Sequence, residues 1–214
     1  MGLTLDPVTG DNLINAQDAA AGVTLTGQAD PGATVRVDLG SNSLVTQADD
    51  QGHWALPLSN ADLATIGQGT GKPITAVQID AAGNASAPVT QTLTLDTLVP
   101  ATPTIDVVAR DDVIDATEKA AGITITGTNE LGATVRLQLG SQDITPTVTG
   151  STWSYQLTGA DFAAMGEGGE NLFVRQTDAA GNVSTEAVRA IDVHTLVPPA
   201  PTISTVAPLS LIHI

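Results

Sequence analysis

The stretch GVTLTGQADPGATVRVDLG, residues 22–40, decides the fold. Apolar and polar residues alternate on both sides of its centre, and a period of two is typical of strands with one buried and one solvated face. The central ADPGA contains Pro and Gly, which interrupt a strand and favour a tight connection. The stretch therefore predicts two consecutive β-strands joined by a turn.

The same stretch returns 100 residues later as GITITGTNELGATVRLQLG, residues 122–140. Trp54 returns as Trp153, and DAAGN at 80–84 returns at 178–182, so the offset falls to 98 and the length changes lie in loops. A repeat of about a hundred residues can hold its own core, unlike the short repeats of solenoids. The repeat therefore predicts two complete domains.

We expect these domains to span residues 1–98 and 99–198. The tail, 199–214, restarts the repeat and stops, and its last residues, LSLIHI, have no counterpart in either repeat.

Each repeat contains seven alternating segments, named A to G in chain order. Short strands at regular spacing, separated by turn signals, indicate an antiparallel β-sandwich. The segments NADLATIG and GADFAAMG each predict one short turn of helix, and Trp54 and Trp153 in strand E are predicted to fill the cores. In the first repeat the strands are predicted at about 3–8, 22–28, 33–39, 43–48, 53–58, 73–79 and 88–95.

Composition excludes several classes of protein. The formal charge is −16, of which −8 lies in residues 1–99, so acidity belongs to each repeat and argues against nucleic acid and anionic membranes as partners. The chain has no cysteine, which excludes disulfides and thiolate metal sites. It shows no apolar run long enough to span a membrane and no signal peptide. We therefore expect either a cytosolic protein or a piece of a longer secreted one.

The sequence does not predict an enzyme. The three histidines are scattered, and there is no nucleophile elbow, phosphate loop or histidine-rich metal motif. Paired carboxylates of a glycosidase need aromatic platforms, and aromatic residues make up only 2% of the chain. A ligand-binding adhesin domain, for carbohydrate or ice, remains the alternative, because TLTLDT and ITITGT carry threonines of the kind that an ice-binding face uses.

Acidic residues concentrate in the loops at the two ends of each sandwich. Because consecutive strands alternate in direction, loops A–B, C–D and E–F are predicted at the C-terminal pole, and loops B–C, D–E and F–G at the N-terminal pole. Loop A–B supplies Asp11 and Asn12 in the first repeat and Asp111 in the second. These residues are predicted beside the exit linker, which carries Asp96 in the first repeat.

The N-terminal pole carries a second set of acids. Loop B–C supplies Asp30 in the first repeat and Glu130 in the second. Loop F–G supplies Asp80 in the first repeat and Asp178 in the second. When two domains are joined end to end, the C-terminal pole of the first faces the N-terminal pole of the second.

Five oxygen-bearing residues are then predicted to approach one another at the joint. Carboxylates in such proximity repel unless a cation neutralises them, and Ca²⁺ suits a site of six to eight oxygen ligands. The bland interpretation stays open, because Asp and Asn are common in turns, where they bond the local backbone. A self-contained EF-hand loop is not predicted, so any ion is shared between loops or domains. The five residues are Asp11, Asn12, Asp96, Glu130 and Asp178.

Taken together, GxxDPGATVxVxLG, a Trp-bearing strand, the DAAGN turn and a D-T-x-x-P linker resemble the bacterial immunoglobulin-like repeats. Such repeats build the extender regions of very large RTX-type adhesins and biofilm-associated surface proteins. The resemblance implies two tandem immunoglobulin-like domains in a secreted, monomeric cell-surface rod whose partners are neighbouring repeats. It also implies calcium ligands at the joint: Asp96, Glu130 and Asp178, with Asp11 beside them and Asp111 in a subsidiary role.

The two linkers differ in one residue that matters for this hypothesis. LDTLVPATPTID at 95–106 carries Asp96, whereas VHTLVPPAPTIS at 193–204 carries His194. The second linker departs from the pattern of the family, so the first joint is predicted to be clamped by calcium and the second to be loose.

Overall fold

The computed structural model describes residues 2–203. Two hydrophobic clusters form separate cores, one drawn from Val8 to Leu95 and one from Ile105 to Val193. Trp54 and Trp153 are 2% and 1% exposed, so the structure confirms their predicted place in the cores. The predicted tail falls largely outside the described residues, since 204–214 are not described.

The first domain contains seven strands and two α-helices. A short 3₁₀ turn, Val8–Gly10, precedes them. In chain order the elements are β1 Leu13–Ile14, α1 Ala16–Ala21, β2 Val23–Gln28, β3 Thr34–Leu39, β4 Asn42–Gln47, β5 His53–Leu58, α2 Asn60–Ile66, β6 Gly69–Ile79 and β7 Val89–Leu95.

The second domain repeats this order with one strand divided. Its elements are β8 Val113–Asp115, α3 Ala116–Ala121, β9 Thr124–Thr128, β10 Thr134–Leu139, β11 Gln142–Ile144, β12 Thr147–Thr149, β13 Thr152–Gln156, α4 Gly159–Met165, β14 Gly168–Thr177 and β15 Ala187–His194.

Two sheets face each other in each domain, as predicted for a sandwich. The first domain has sheets β1-β7-β6-β3-β4 and β2-β5, and the second has β11-β10-β14-β15-β8 and β12-β13-β9. Predicted strand D is continuous as β4 but divided in the second domain, where β11 pairs with β10 and β12 with β13. Pro146 lies at the division, where its missing N–H cannot take part in a ladder. Strand D of the second domain therefore changes sheets.

The prediction for strand A is wrong in detail. Residues 3–8 form no regular strand, although the N–H groups of Thr4 and Asp6 donate to the carbonyls of Gln28 and Thr26 on β2. The regular ladder at this edge is the two-residue β1, which runs parallel to β7. The start of the chain thus divides its hydrogen bonds between the two sheets, which leaves each pairing too short for a conventional strand.

The A–B segment was predicted as a loop, and the structure corrects this to a capped helix. The side chain of Asn15 accepts from the backbone of Asp18, and the Asp18 carboxylate accepts from the N–H of Asn15, which is a capping box at the start of α1. Asp115 and Glu118 repeat the box at α3. The predicted short helices of the E–F segment are confirmed as α2 and α4.

Both predicted poles are confirmed. At the N-terminal pole of the first domain, the N–H of Ala29 donates to the carbonyl of Gly52, and the N–H of Asp30 donates to the side chain of Gln78. At the C-terminal pole, the side chain of Asn42 donates to Asp62 on α2. The loops therefore collect at two ends, and the site must be sought where the ends of neighbouring domains meet.

Candidate functional site

A cavity of about 260 Å³ lies where the C-terminal pole of the first domain meets the N-terminal pole of the second. Asp96 enters it from the end of β7, Glu130 from the loop before β10 and Asp178 from the turn after β14. Leu98 and Leu131 line the same cavity. The structure thus brings together three of the predicted ligands, one from the first domain and two from the second.

Two of these carboxylates are already engaged by their own turns. Asp96 Oδ1 accepts from the N–H of Leu98 at 3.2 Å. Asp178 Oδ1 accepts from the N–H groups of Ala180 and Asn182 at 2.8 and 2.9 Å, and its Oδ2 accepts from Asn182 Nδ2 at 2.9 Å. These bonds fix the direction of each carboxylate and leave part of its acceptor capacity for another partner.

The carboxylates do not form a closed coordination sphere. Within residues 2–203, no group of three or more His, Cys, Asp or Glu side chains is close enough together to hold a metal ion. None of the ion pairs recorded among those residues includes Asp96, Glu130 or Asp178. The joint therefore concentrates negative charge without an ion pair to offset it.

Direct hydrogen bonds also cross the joint. The N–H of Ala16, the first residue of α1, donates to Asn182 Oδ1 at 2.7 Å, and Asn182 Nδ2 donates to the carbonyl of Asp96 at 2.9 Å. Asn15 Nδ2 donates to the carbonyl of Ala180 at 3.2 Å. Asn182 is only 3% exposed, so these bonds are shielded from water. Sequence reasoning missed these contacts because helix α1 and its N-cap Asn15, which together supply two of the donors, were predicted as a loop.

Asp11 and Asn12 do not lie at the joint. Strand β1 runs parallel to β7 with Leu13 beside Thr94, so the two residues before Leu13 lie beside the middle of β7, whereas Asp96 follows its end. The prediction that they approach Glu130 and Asp178 is therefore wrong.

Local turns account for the polar atoms of both residues. Hydrogen bonds from the N–H of Leu13 and the hydroxyl of Thr9 lower the pKa of Asp11 below its usual value. Asn12 has a φ of 64°, a left-handed conformation that Asn tolerates better than most residues, and its Oδ1 accepts from the N–H of Val8. Asp11 and Asn12 are therefore turn residues that bond the local backbone, as the alternative interpretation predicts.

Asp30 and Asp80 lie at the opposite pole of the first domain, where they line a cavity with Gln78 and Asn84. Gln78 Nε2 donates to Asp30 Oδ2 at 3.0 Å. The side chain and backbone N–H of Asn84 lower the pKa of Asp80. This pair occupies the positions of Glu130 and Asp178, at a pole that meets no other domain within the described residues.

Asp111 accepts from the N–H of Val113 at 3.1 Å and lines a surface groove of the second domain, away from the joint. Its neighbour Asp112 forms a two-point ion pair with Arg189, with N–O distances of 2.6 and 2.7 Å. The hydrogen bond from Arg189 lowers the pKa of Asp112. Sequence reasoning did not predict this pair, because Asp112 and Arg189 lie 77 residues apart in the chain.

The exit of the second domain is built differently from that of the first. His194 ends β15, where its Nε2 lies 3.6 Å from a carboxylate oxygen of Asp192. Thr195 donates from its N–H and hydroxyl to Glu167 at 2.8 and 2.5 Å. In the first domain, Gln68 accepts from the N–H of Thr97 at 2.9 Å and donates to its hydroxyl. The linker start is therefore anchored in both domains, by an amide in one and a carboxylate in the other.

The fold and the joint define two immunoglobulin-like β-sandwich domains in tandem. Residues 11–95 match the family profile of the bacterial Ig domain. The second half repeats the same motifs in the same fold. The chain therefore belongs to the bacterial immunoglobulin-like repeats. Comparison with curated proteins finds no match.

Solved structures place the chain near bacterial adhesins. It is 31% identical to a Ca²⁺-stabilized adhesin that helps an Antarctic bacterium reach out and bind ice, with a TM-score of 0.52 over 92% of this chain and 50% of that one. An immunoglobulin-like domain of the M. primoryensis ice-binding adhesin is 30% identical, with a TM-score of 0.32 over 46% of this chain and 98% of the domain. The present chain thus spans half the length of the first structure.

The fibronectin(III)-like modules of Clostridium thermocellum CbhA share 13% identity and a TM-score of 0.52, covering 94% of this chain and 100% of that one. At this identity the likeness shows the fold alone. The adhesin likeness, at higher identity, shows that the chain is homologous to domains of an ice-binding adhesin.

Within residues 2–203, no helix is both long and apolar enough to cross a membrane.

Proposed function

We propose that the chain is an extender segment of a large secreted bacterial surface adhesin, in which calcium at the joint stiffens consecutive domains and so projects a distal binding domain. One observation carries the proposal: carboxylates of two domains, Asp96 from the first and Glu130 and Asp178 from the second, line one cavity. The likeness to a Ca²⁺-stabilized adhesin supports the same ion.

The residues at the joint fit calcium in their chemistry. Ca²⁺ takes oxygen ligands at about 2.3–2.6 Å in flexible geometry, and carboxylates from separate loops can supply them. Glu130 offers its whole carboxylate, while Asp96 and Asp178 offer the capacity that their turn bonds leave. A bound ion would supply positive charge between the two domains. The chain's own part is to hold the three carboxylates around one space.

The role of a spacer follows from dimensions. Strand β6 has 11 residues, which corresponds to roughly 36 Å at the usual rise per residue, so each domain adds a length of that order. Pro100 and Pro103 restrict the linker backbone to extended conformations. A short, stiff connection with a neutralised joint keeps successive domains in line.

We further propose that the chain has no catalytic activity, stays monomeric and takes neighbouring repeats as its partners at the cell surface. The charge of −16 disfavours nucleic acid and keeps rods apart in solution. A Kd of roughly 10⁻⁴ to 10⁻³ M, the range of extracellular modules, would suffice for calcium to occupy the site outside a cell.

The alternative of a ligand-binding domain finds less support. Trp54 and Trp153 are buried and cannot stack on a sugar. In ITITGT the hydroxyl of Thr126 donates to Asp106 at 2.7 Å, and in TLTLDT the hydroxyl of Thr97 accepts from Gln68 Nε2 at 2.8 Å. These threonines therefore serve the fold of the chain, since their hydroxyls already have partners on it.

Calorimetry with Ca²⁺ tests the proposal when two variants are compared. Glu130→Gln removes a charge from the joint, while Asp30→Asn makes the matching change at the exposed pole. We expect Glu130→Gln to weaken binding at least tenfold and Asp30→Asn to leave the joint site unchanged. Small-angle scattering should show a more flexible parent chain in chelator. No binding up to millimolar Ca²⁺, with the same maximum dimension and melting temperature in chelator, would refute the proposal.

A further inference from the structure

Two turns with the same sequence, DAAGN, have the same internal hydrogen bonds. In the first, Asp80 Oδ1 accepts from the N–H groups of Ala82 and Asn84 at 2.9 and 2.8 Å, and Asn84 Nδ2 donates to Asp80 Oδ2 at 2.8 Å. The second, residues 178–182, makes the equivalent bonds at 2.8, 2.9 and 2.9 Å. The shape of the turn is therefore set locally and does not depend on what covers it.

The two turns differ in exposure. Ala180 and Asn182 are 7% and 3% exposed, whereas Ala82 and Asn84 in the first domain are exposed. Since sequence and internal bonds are the same, the difference comes from the C-terminal pole of the first domain, which covers the second turn. We call residues 178–182 the docking turn.

Asn182 uses both ends of its amide across the joint. Its oxygen accepts from the N–H of Ala16, which has no partner within helix α1 because it lies in the first turn. Its nitrogen donates to the carbonyl of Asp96 and also to Asp178 Oδ2. One side chain thereby contacts a helix start and a strand end of the preceding domain and fixes both relative to its own turn.

We infer that the docking turn is a metal-independent lock for the C-terminal pole of a preceding immunoglobulin-like domain, with Asn182 as the residue that sets the angle between the domains. The inference rests on the proposed spacer role but not on calcium. Asparagine suits the position because its amide accepts and donates at once. An aspartate there could not donate to the carbonyl of Asp96, and it would add a charge beside Asp178.

The chemistry of the partner is specified by the same contacts. The preceding domain must present a helix whose first N–H is free, a carbonyl at the end of its last strand, and an amide donor at the helix N-cap. The first domain meets all three conditions, with Asn15 as the donor to Ala180. The second domain has Asp115 at its N-cap, which accepts but cannot donate. Its own C-terminal pole would therefore form a weaker lock.

The inference can be tested by measuring the distance between two spin labels in calcium-free buffer with chelator. The chain has no cysteine, and the exposed Val45 and Val188 provide one labelling position in each domain. Asn182→Ala is compared with Asn84→Ala, which removes the same bonds within the turn but faces no other domain in residues 2–203.

We expect Asn182→Ala to widen the distance distribution at least twofold and Asn84→Ala to leave it unchanged. Equal widths for the two variants, or a parent width retained by Asn182→Ala, would overturn the lock. Unfolding midpoints of both variants check that each domain remains folded. Adding calcium to the parent separates the two proposals: an unchanged width counts against calcium stiffening, while the contrast between Asn182 and Asn84 still decides the lock.

Discussion

The two domains meet one structural need with different chemistry. Next to the left-handed turn before β1, Asn12 accepts from the side-chain amide of Gln91, which is a neutral pair. At the same place before β8, Asp112 and Arg189 form an ion pair, and Arg189 also donates to the carbonyl of Ile105 at 2.9 Å. Both pairs tie the turn to the last strand of the domain. The fold therefore requires a bond at this position, while the sequence decides whether the bond depends on charge.

The ion pair should be the more sensitive to truncation. Arg189→Ala leaves Asp112 with an uncompensated, partly desolvated charge and removes the donor to Ile105, so we expect a loss of about 2 kcal/mol in the second domain. Gln91→Ala removes only a neutral partner and should cost the first domain about 0.5–1 kcal/mol. Chemical denaturation followed by fluorescence of Trp54 and Trp153 measures both losses. Equal losses would show that charge adds nothing here.

The N-caps of α1 and α3 provide the second contrast. Asn15→Ala and Asp115→Ala each remove a capping box, and each should cost its domain about 1 kcal/mol. Only Asn15 also donates across the joint to Ala180. We therefore expect Asn15→Ala alone to broaden the interdomain distance distribution between the two spin labels. Broadening by Asp115→Ala as well would assign the effect to helix stability.

At acidic pH the ion pair of Asp112 and Arg189 should lose its stabilising contribution, whereas the neutral pair of Asn12 and Gln91 should keep its own. Since the pKa of Asp112 is lower in the folded state, its stabilisation is present above the unfolded pKa of about 4 and is lost as pH falls through the folded pKa. A second domain carrying Asp112→Asn with Arg189→Gln lacks this dependence. At pH 7 we expect the free energy of unfolding of the second domain to be larger in the parent than in this double variant by up to about 1 kcal/mol. The difference is small because both side chains are about a quarter exposed.

Thermal unfolding of the parent and the double variant from pH 7 to pH 2.5 measures how this difference in stability changes with pH. Other titrating groups are common to both chains, so the difference between them reports the pair together with the weaker Coulombic attraction between Arg189 and Asp106. An advantage that persists at the lowest pH would contradict an electrostatic origin.

Strands B and E follow most directly from alternation because their burial is itself alternating; β2 and β5 each bury every second residue. Helices α1 and α3 were not predicted from periodicity, because each has only six residues, rich in alanine, and these show no helical period of apolar residues. The available signal was the capping box, N-A-Q-D and D-A-T-E, in which the first and fourth residues exchange bonds.

The sequence predicts which loops meet at the joint, but it does not predict where every residue of those loops lies. Asp96, Glu130 and Asp178 share a cavity because strand direction fixes which loops meet. Asp11 and Asn12 could not be placed, since a turn with positive φ at Thr9, Gly10 and Asn12 moves the chain from its pairing with β2 to β7 before it reaches the pole. Whether calcium takes the shared carboxylates stays a prediction.

The docking turn and the helix start that it binds lie at opposite ends of a domain. An interface between unlike surfaces is heterologous, and it cannot close a twofold dimer by itself. Each domain thus has a receiving end and a presenting end, and the exposed turn at Asp80–Asn84 is a receiving end. Repetition of this contact produces an open, head-to-tail row of domains, which runs in the same direction as the chain.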